Sequence, residues 1–228
     1  MAQNTSTEQN ITKGTCLQYH RIPTKRLPSP GGKRRWYRIR FEGGTGGDAA
    51  SNLPKGHVSA VIPAWAILAA IYNEYDFDVA SIVVGDADSS IASAAEAIIC
   101  IPSGEPAEFV KSQQESMNQW LQEEYGQHDP QIHCTIEKCE KQETVIDNKS
   151  FESLMECLEQ IPQGMIADES KKGNATASNN VGRIRTEQDY ILVSTLSIGP
   201  TTSEANSLAQ DIKSTFASFG ATSETVQR

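Results

Sequence analysis

At 228 residues with 38% hydrophobic residues, the chain is long enough to bury a real core. No run approaches the ~18 apolar residues that a membrane-spanning helix needs, so no membrane partner is expected. The net charge of -9 is uneven. Residues 1–60 carry +7 and the remainder -16, and so acidic a remainder argues against nucleic acid despite the cluster from Arg21 to Arg40. That cluster reads as a solvated strand and loop.

Residues 1–13 are polar and without period, which predicts a disordered tail ahead of one domain over 14–228. Met1 to Asn10 has neither the basic nor the apolar region of a signal peptide, so the cytoplasm is the expected compartment. The five cysteines (Cys16, Cys100, Cys134, Cys139, Cys157) are odd in number and scattered, which argues against a disulfide framework. His133 and Cys134 would point to opposite faces of a strand, so no metal site is expected there.

Cys16 to Ile22 is an extended piece, and the prolines and glycines at 23–32 forbid regular structure. Trp36 to Phe41 alternates as a half-buried strand and runs into Gly43-Gly44-Thr45-Gly46-Gly47. Residues 48–58 read as a loop and 59–75 as a helix, apolar nearly all round, with Pro63 in its first turn. Val79 to Val84 and Ala95 to Ile101 are apolar strands joined by a turn. A helix from Pro106 to Glu124 and an alternating strand from Gln131 to Cys139 follow. This is β-α-β-β-α-β, a ferredoxin-like α+β unit with both helices on one face of an antiparallel sheet.

The chain extends that unit. Phe151, Leu154, Leu158 and Ile161 form one helical stripe, 167–179 is a polar loop, and Asn180–Arg185 with Tyr190–Ile198 form a hairpin. A last helix begins near Thr201 or Ser203 and ends at Gly220. Whether a strand follows is not legible in the last eight residues.

Residues 40–47 (Arg-Phe-Glu-Gly-Gly-Thr-Gly-Gly) resemble the GL-x-GGHSG motif of the aminoacyl-histidine dipeptidases, within the two-zinc metallopeptidase family that includes carnosinase. Residues 158–166 are similar to that branch's LLLALPNGV, residues 178–187 to its SLNLGVVKTE, and Ser194 to Ile198 sits where it has FSIRSS. The matches keep their order across the chain. All four belong to the family's lid, a ferredoxin-like domain inserted in the catalytic domain, which closes over substrate and makes the dimer.

The resemblance therefore implies a lid or dimerisation domain of an enzyme that hydrolyses Xaa-His dipeptides. Zinc, or manganese or cobalt, would be held by a separate catalytic domain. The catalytic half needs a His-x-Asp pair and a Glu-Glu pair; this sequence has no His-x-Asp, and its one Glu-Glu is Glu123-Glu124. No catalytic residue and no metal ligand is expected in the chain, which should be inactive alone. The expected partners are a second copy, through the lid, or a peptidase catalytic domain.

The lid's own site residues depart from the pattern. Thr45 stands for the histidine that would stabilise the oxyanion, Ser89 for an asparagine, Ser93 for an arginine, and Gly199 for the arginine of SIRSS. His57, in the segment nearest the family's GRGNAN, is the one substrate-binding candidate, able to meet a carboxylate when protonated. The alternative is a stand-alone, non-catalytic binding or dimerisation module with the lid fold. A hydrolase using Cys100 or Cys134 with His133 as base is disfavoured, because both cysteines fall on apolar strands where thiols serve as packing.

Overall fold

The computed structural model describes residues 14–102, 106–166 and 177–226. The expected tail at 1–13 and most of the polar loop after Ile166 lie outside the described residues. Elements follow in the order β1 (Gly14–Pro23), β2 (Arg26–Pro28), β3 (Arg34–Glu42), α1 (Ala49–Asn52) and α2 (Val61–Glu74). Next come β4 (Asp78–Val84), β5 (Ala95–Pro102), α3 (Pro106–Tyr125), β6 (His133–Lys138), β7 (Thr144–Ile146) and α4 (Asn148–Gln160). The chain continues with β8 (Gly164–Ile166), β9 (Ala177–Thr186), β10 (Tyr190–Gly199), α5 (Thr202–Ser218) and β11 (Thr222–Val226).

The large strands form one antiparallel sheet in the order β11-β1-β10-β9-β4-β5-β3-β6, with β8 added on β9. Two units stand side by side in it. The first runs β3-α2-β4-β5-α3-β6 along the chain and β6-β3-β5-β4 across the sheet. In the second, β1, β9, β10 and β11 lie as β11-β1-β10-β9, the same order by rank, with α4 ahead of β9 and α5 between β10 and β11. This second unit is discontinuous, because the whole first unit is inserted between its first strand and its first helix. Val83 and Val84 opposite Arg185 and Ile184 join the two. At that seam the Thr186 hydroxyl accepts from the Ile82 N–H at 2.9 Å.

Sequence alternation produces the layers. β3 turns Tyr37, Ile39 and Phe41 to the helices, each at most 3% exposed, and Arg38 and Arg40 to the other side, where both meet Glu96. Ile67, Leu68 and Ile71 of α2, Leu121 of α3, Leu154 and Leu158 of α4, and Ile212 and Phe216 of α5 join them in one cluster spanning both units. Burying each such side chain contributes roughly 1.5–3 kcal/mol.

Helix ends follow their sequence signals. Pro63 sits in the first turn of α2, Asp147 caps α4 by accepting from the Ser150 N–H, and Thr201 caps α5 by accepting from the Glu204 N–H. Gly220 takes a φ of 80° just past α5.

The opposite face is covered in patches. Ala49 and Leu53 lie on Leu17, Leu196 and Ile198, and Val145 of the β2–β7 pair covers Trp36, Ile98 and Cys100. The predicted loop at 48–58 thus holds a short helix and a 3-10 turn, Leu53–Lys55, because Asp48 accepts from both the N–H and the hydroxyl of Ser51. β2, β7, β8 and β11 are also additions to the sequence reading.

The two units differ beneath their helices. Under α5 the strands bury Gln18, His20, Thr195 and Ser197, each at most 2% exposed. His20 lies flat on Phe216 at 3.9 Å, with its ring nitrogens 2.7 Å from the Ser223 hydroxyl and 2.9 Å from that of Thr195. Burial, and then the Lys213 charge, pushes its pKa down to about 4, so it stays neutral.

Candidate functional site

The strand registers bring the glycine loop, the 89–93 segment, the start of β1 and the end of β11 to one end of the sheet. Phe41 and Val84 both face Ala95, Ile184 faces Val84, Ser178 faces Ile198, and Gly14 faces Gly199. His57 belongs to this same end.

The glycine loop is clamped. Gly43 has a φ of 85°, and a Cβ there would lie 2.1 Å from the Gln131 carbonyl oxygen. Gly47 has a φ of 86°, and its Cβ would meet the Asn52 amide nitrogen at 2.3 Å. The Gly44 N–H donates to the Ser93 carbonyl at 3.2 Å, and the Ile91 N–H donates to that of Gly47 at 2.8 Å. A loop held from both sides in this way is a shaped surface rather than a loose connection.

Asp129 organises what lies beneath. Fully buried, it accepts the Thr45 N–H at 2.7 Å on one oxygen and the Val58 N–H at 2.8 Å on the other. His57 Nδ1 stands 3.3 Å from that second oxygen. Burial alone would raise the carboxyl's pKa, but the bonds from Thr45 and Val58, with His57 alongside, hold it below the usual carboxylate value. A carboxylate facing Nδ1 accepts a proton held on that nitrogen. His128 packs edge-on against His57, with ring centroids 6.2 Å apart.

His57 lines a cleft of about 220 Å³ bounded also by Ser59, Tyr125, Met165, Asn179 and Asn180. The cleft lies between the start of α2, the end of α3 and the segment after α4. Its wall includes Ser59 and both asparagines, which are at most 7% exposed. The Asn179 and Asn180 amides donate to the Pro162 and Ser90 carbonyls, each at 2.8 Å. Sequence reading picked out His57 but missed Asp129, which lies 72 residues away and has no local signature.

The other expected positions are accounted for. Thr45 is exposed on the loop. Ser93 supports the loop through its carbonyl, and the Ser89 carbonyl accepts the Ala49 N–H at 3.0 Å. Gly199 lies where a Cβ would approach the Ala205 N–H nitrogen to 2.7 Å, so a larger side chain would displace α5.

Cys100 and Cys134 are buried, and burial pushes their thiols up to about 11 and about 12, the state of packing residues and not of nucleophiles. Of the basic cluster, Arg34 pairs with Asp78 at 2.7 Å, Arg40 with Glu96 at 2.9 Å, and Arg21 with Glu224 at 3.2 Å.

Two adjacent metal ions require several fixed nitrogen and oxygen donors. Among the described residues no three His, Cys, Asp or Glu side chains gather to supply them. In the His57–Asp129 pair both carboxylate oxygens already accept N–H groups. The described residues do not fit the two-metal centre.

No protein-family model matches the chain, and no curated protein matches it. Among solved structures it is similar to the aminoacylhistidine dipeptidase of Vibrio alginolyticus, with a TM-score of 0.83 and 19% identity, over 94% of this chain and 44% of that one. The chain thus has the fold of a part of that dipeptidase and spans less than half of its length. An aminobenzoyl-glutamate utilization protein from Klebsiella pneumoniae (TM-score 0.36, 12% identity, 57% and 34% of the two chains) and a hydantoinase/carbamoylase-family amidase from Burkholderia multivorans (0.34, 13%, 65% and 34%) align too loosely to carry an argument. No described helix is long and apolar enough to cross a membrane.

Proposed function

We propose that this chain is the lid of a dipeptidase-like metallopeptidase, acting by capping a catalytic domain and silent in hydrolysis by itself. The observation that carries the reading is the fold match over 94% of this chain but 44% of the dipeptidase. Zinc, manganese or cobalt belongs, in this reading, to that other domain, and so do the catalytic acid and base. The compartment is the cytoplasm.

The end of the sheet described above is the surface that would face a catalytic domain. Its clamped loop presents Thr45, which carries no charge to place against an oxyanion. Asp129 joins the Thr45 backbone to His57. His57 is therefore the ring tied to the loop, suited to meet a substrate carboxylate when protonated. A homodimer made through the sheet would use β6 or β11, the strands at the two ends of its main order.

The test is hydrolysis of an Xaa-His dipeptide by the purified chain with zinc, manganese or cobalt, alone and after addition of a two-metal catalytic domain. The chain alone should give no turnover; turnover above blank overturns the silent-lid reading. Sedimentation velocity separates a dimerising lid from a monomer. The stand-alone module gains if no catalytic domain responds to the chain, and Thr45 in the histidine's place is the feature that favours it.

A further inference from the structure

The first helices of the two units, α2 and α4, lie side by side on the helical face. The Trp65 ring N–H donates to the Met155 carbonyl at 3.3 Å, and the Tyr72 hydroxyl donates to Glu152 at 2.8 Å. Between the helices runs a groove of about 390 Å³. Its α2 wall is Trp65, Ala69 and Tyr72, spaced i, i+4 and i+7 along one helical stripe, with Tyr72 43% exposed. Its floor includes Phe151 and Met155.

The α4 rim repeats the spacing with Glu152, Glu156 and Glu159, all exposed. No cation pairs with any of the three among the described residues. An apolar stripe and a parallel, unneutralised acidic stripe at matched helical spacing form a track for another helix. The buried side of α4 is Phe151, Leu154, Cys157 and Leu158, and the three glutamates lie outside it.

We propose that this groove docks a cationic amphipathic helix of a partner protein, its apolar residues against Trp65, Ala69 and Met155 and its lysines or arginines along Glu152, Glu156 and Glu159. The charge complementarity selects the occupant. An acidic helix would bring like charges together along three consecutive turns, whereas a basic one neutralises them. The proposal does not rest on the lid reading, since no residue of the His57 end takes part.

The probe is a fluorescein-labelled helical peptide of about 18 residues, five turns, with leucines at i, i+4, i+7 and lysines flanking them, followed by anisotropy. The comparison peptide has glutamate for every lysine. The basic peptide should bind, and the acidic one should not. Binding should weaken at least tenfold in the double variant Glu156→Lys/Glu159→Lys and also in Ala69→Glu. A double variant on the exposed side of α3, Glu115→Lys/Glu123→Lys, should leave it within twofold. Failure of the basic peptide to bind overturns the proposal. So does equal binding of both peptides, or equal loss in the α3 variant, which would mark a general attraction to an acidic protein. Circular dichroism confirms that each variant is folded before it is scored.

Discussion

Beneath α2 and α3 the strand positions facing the helices are Tyr37, Ile39, Phe41, Ala97, Ile99 and Ile101; beneath α5 they include Gln18, His20, Thr195 and Ser197. The strand order is the same in both units, but what fills the space is not. The first unit is held by area removed from water, which is non-directional and tolerant of small shifts. The second depends on hydrogen bonds inside its core. Those made by His20 are complete, but the Gln18 and Asn179 side-chain oxygens and the Ser197 hydroxyl have no partner among the described residues. Beneath the helices of the first unit the Tyr37 hydroxyl has none among them. A buried polar atom left unpaired costs about 1–3 kcal/mol. Identical topology therefore does not imply equal stability, and the second unit should open first.

Four measurements sharpen that contrast, in falling order of expected effect. Phe41→Ala removes a fully buried ring from the first unit's apolar core and should lower unfolding free energy by about 3–5 kcal/mol in urea titration. A loss below 1 kcal/mol would mean that the apolar core is not what holds this unit.

The second unit should show its dependence on protons. His20 has a folded pKa of about 4 against an unfolded value of 6.5, so the unfolded chain binds the extra proton between these limits. Stability is full above pH 6.5 and falls as pH drops toward 4, by roughly 3 kcal/mol in all. Asp129 and Asp147 have lowered pKa values, so their contributions fade only below the ordinary carboxylate range, outside this window. Replacing His20 with Gln should flatten the slope between pH 6.5 and 4; an unchanged slope would remove His20 as its source.

Asp129→Ala leaves the Thr45 and Val58 N–H groups without their acceptor and should cost about 2 kcal/mol. Amide exchange should quicken at those two positions before it does in β3. Gly47→Ala forces a residue with a Cβ to a φ of 86° and should cost roughly 1–2 kcal/mol, visible as a shifted thermal midpoint.

How much of this the sequence disclosed depended on range. Alternation in Trp36–Phe41, the stripe Phe151-Leu154-Leu158, Pro63 in a first turn and Thr201 as a cap are signals contained within a few residues, and each element formed where they indicated. The all-round apolarity of residues 59–75 was also a true signal. It marks a helix with one side in the core and Trp65 and Tyr72 left on a groove. Partners that meet only in the fold left no trace. His20 finds Thr195 and Ser223 at separations of 175 and 203 residues, and three residues each were too few for β2 and β7 to show a period. At the candidate site His57 was legible as a lone histidine, but the carboxylate that orients it was not.

The insertion of one unit inside the other also has a consequence for how the chain is made. The strand that β1 pairs with across Leu17 and Leu196 is made 179 residues after it. At about 5–20 residues per second, the delay is on the order of ten to thirty seconds. Once β6 has been made, at Lys138, the first unit has all its strands, while Leu17 and Ile22 still wait for their strand partners. Long-range closure of this kind is slow. Refolding should therefore show a fast phase from the continuous unit and a later one in which β1 is gathered in, and a chaperone that holds exposed strands would find its substrate at residues 14–23.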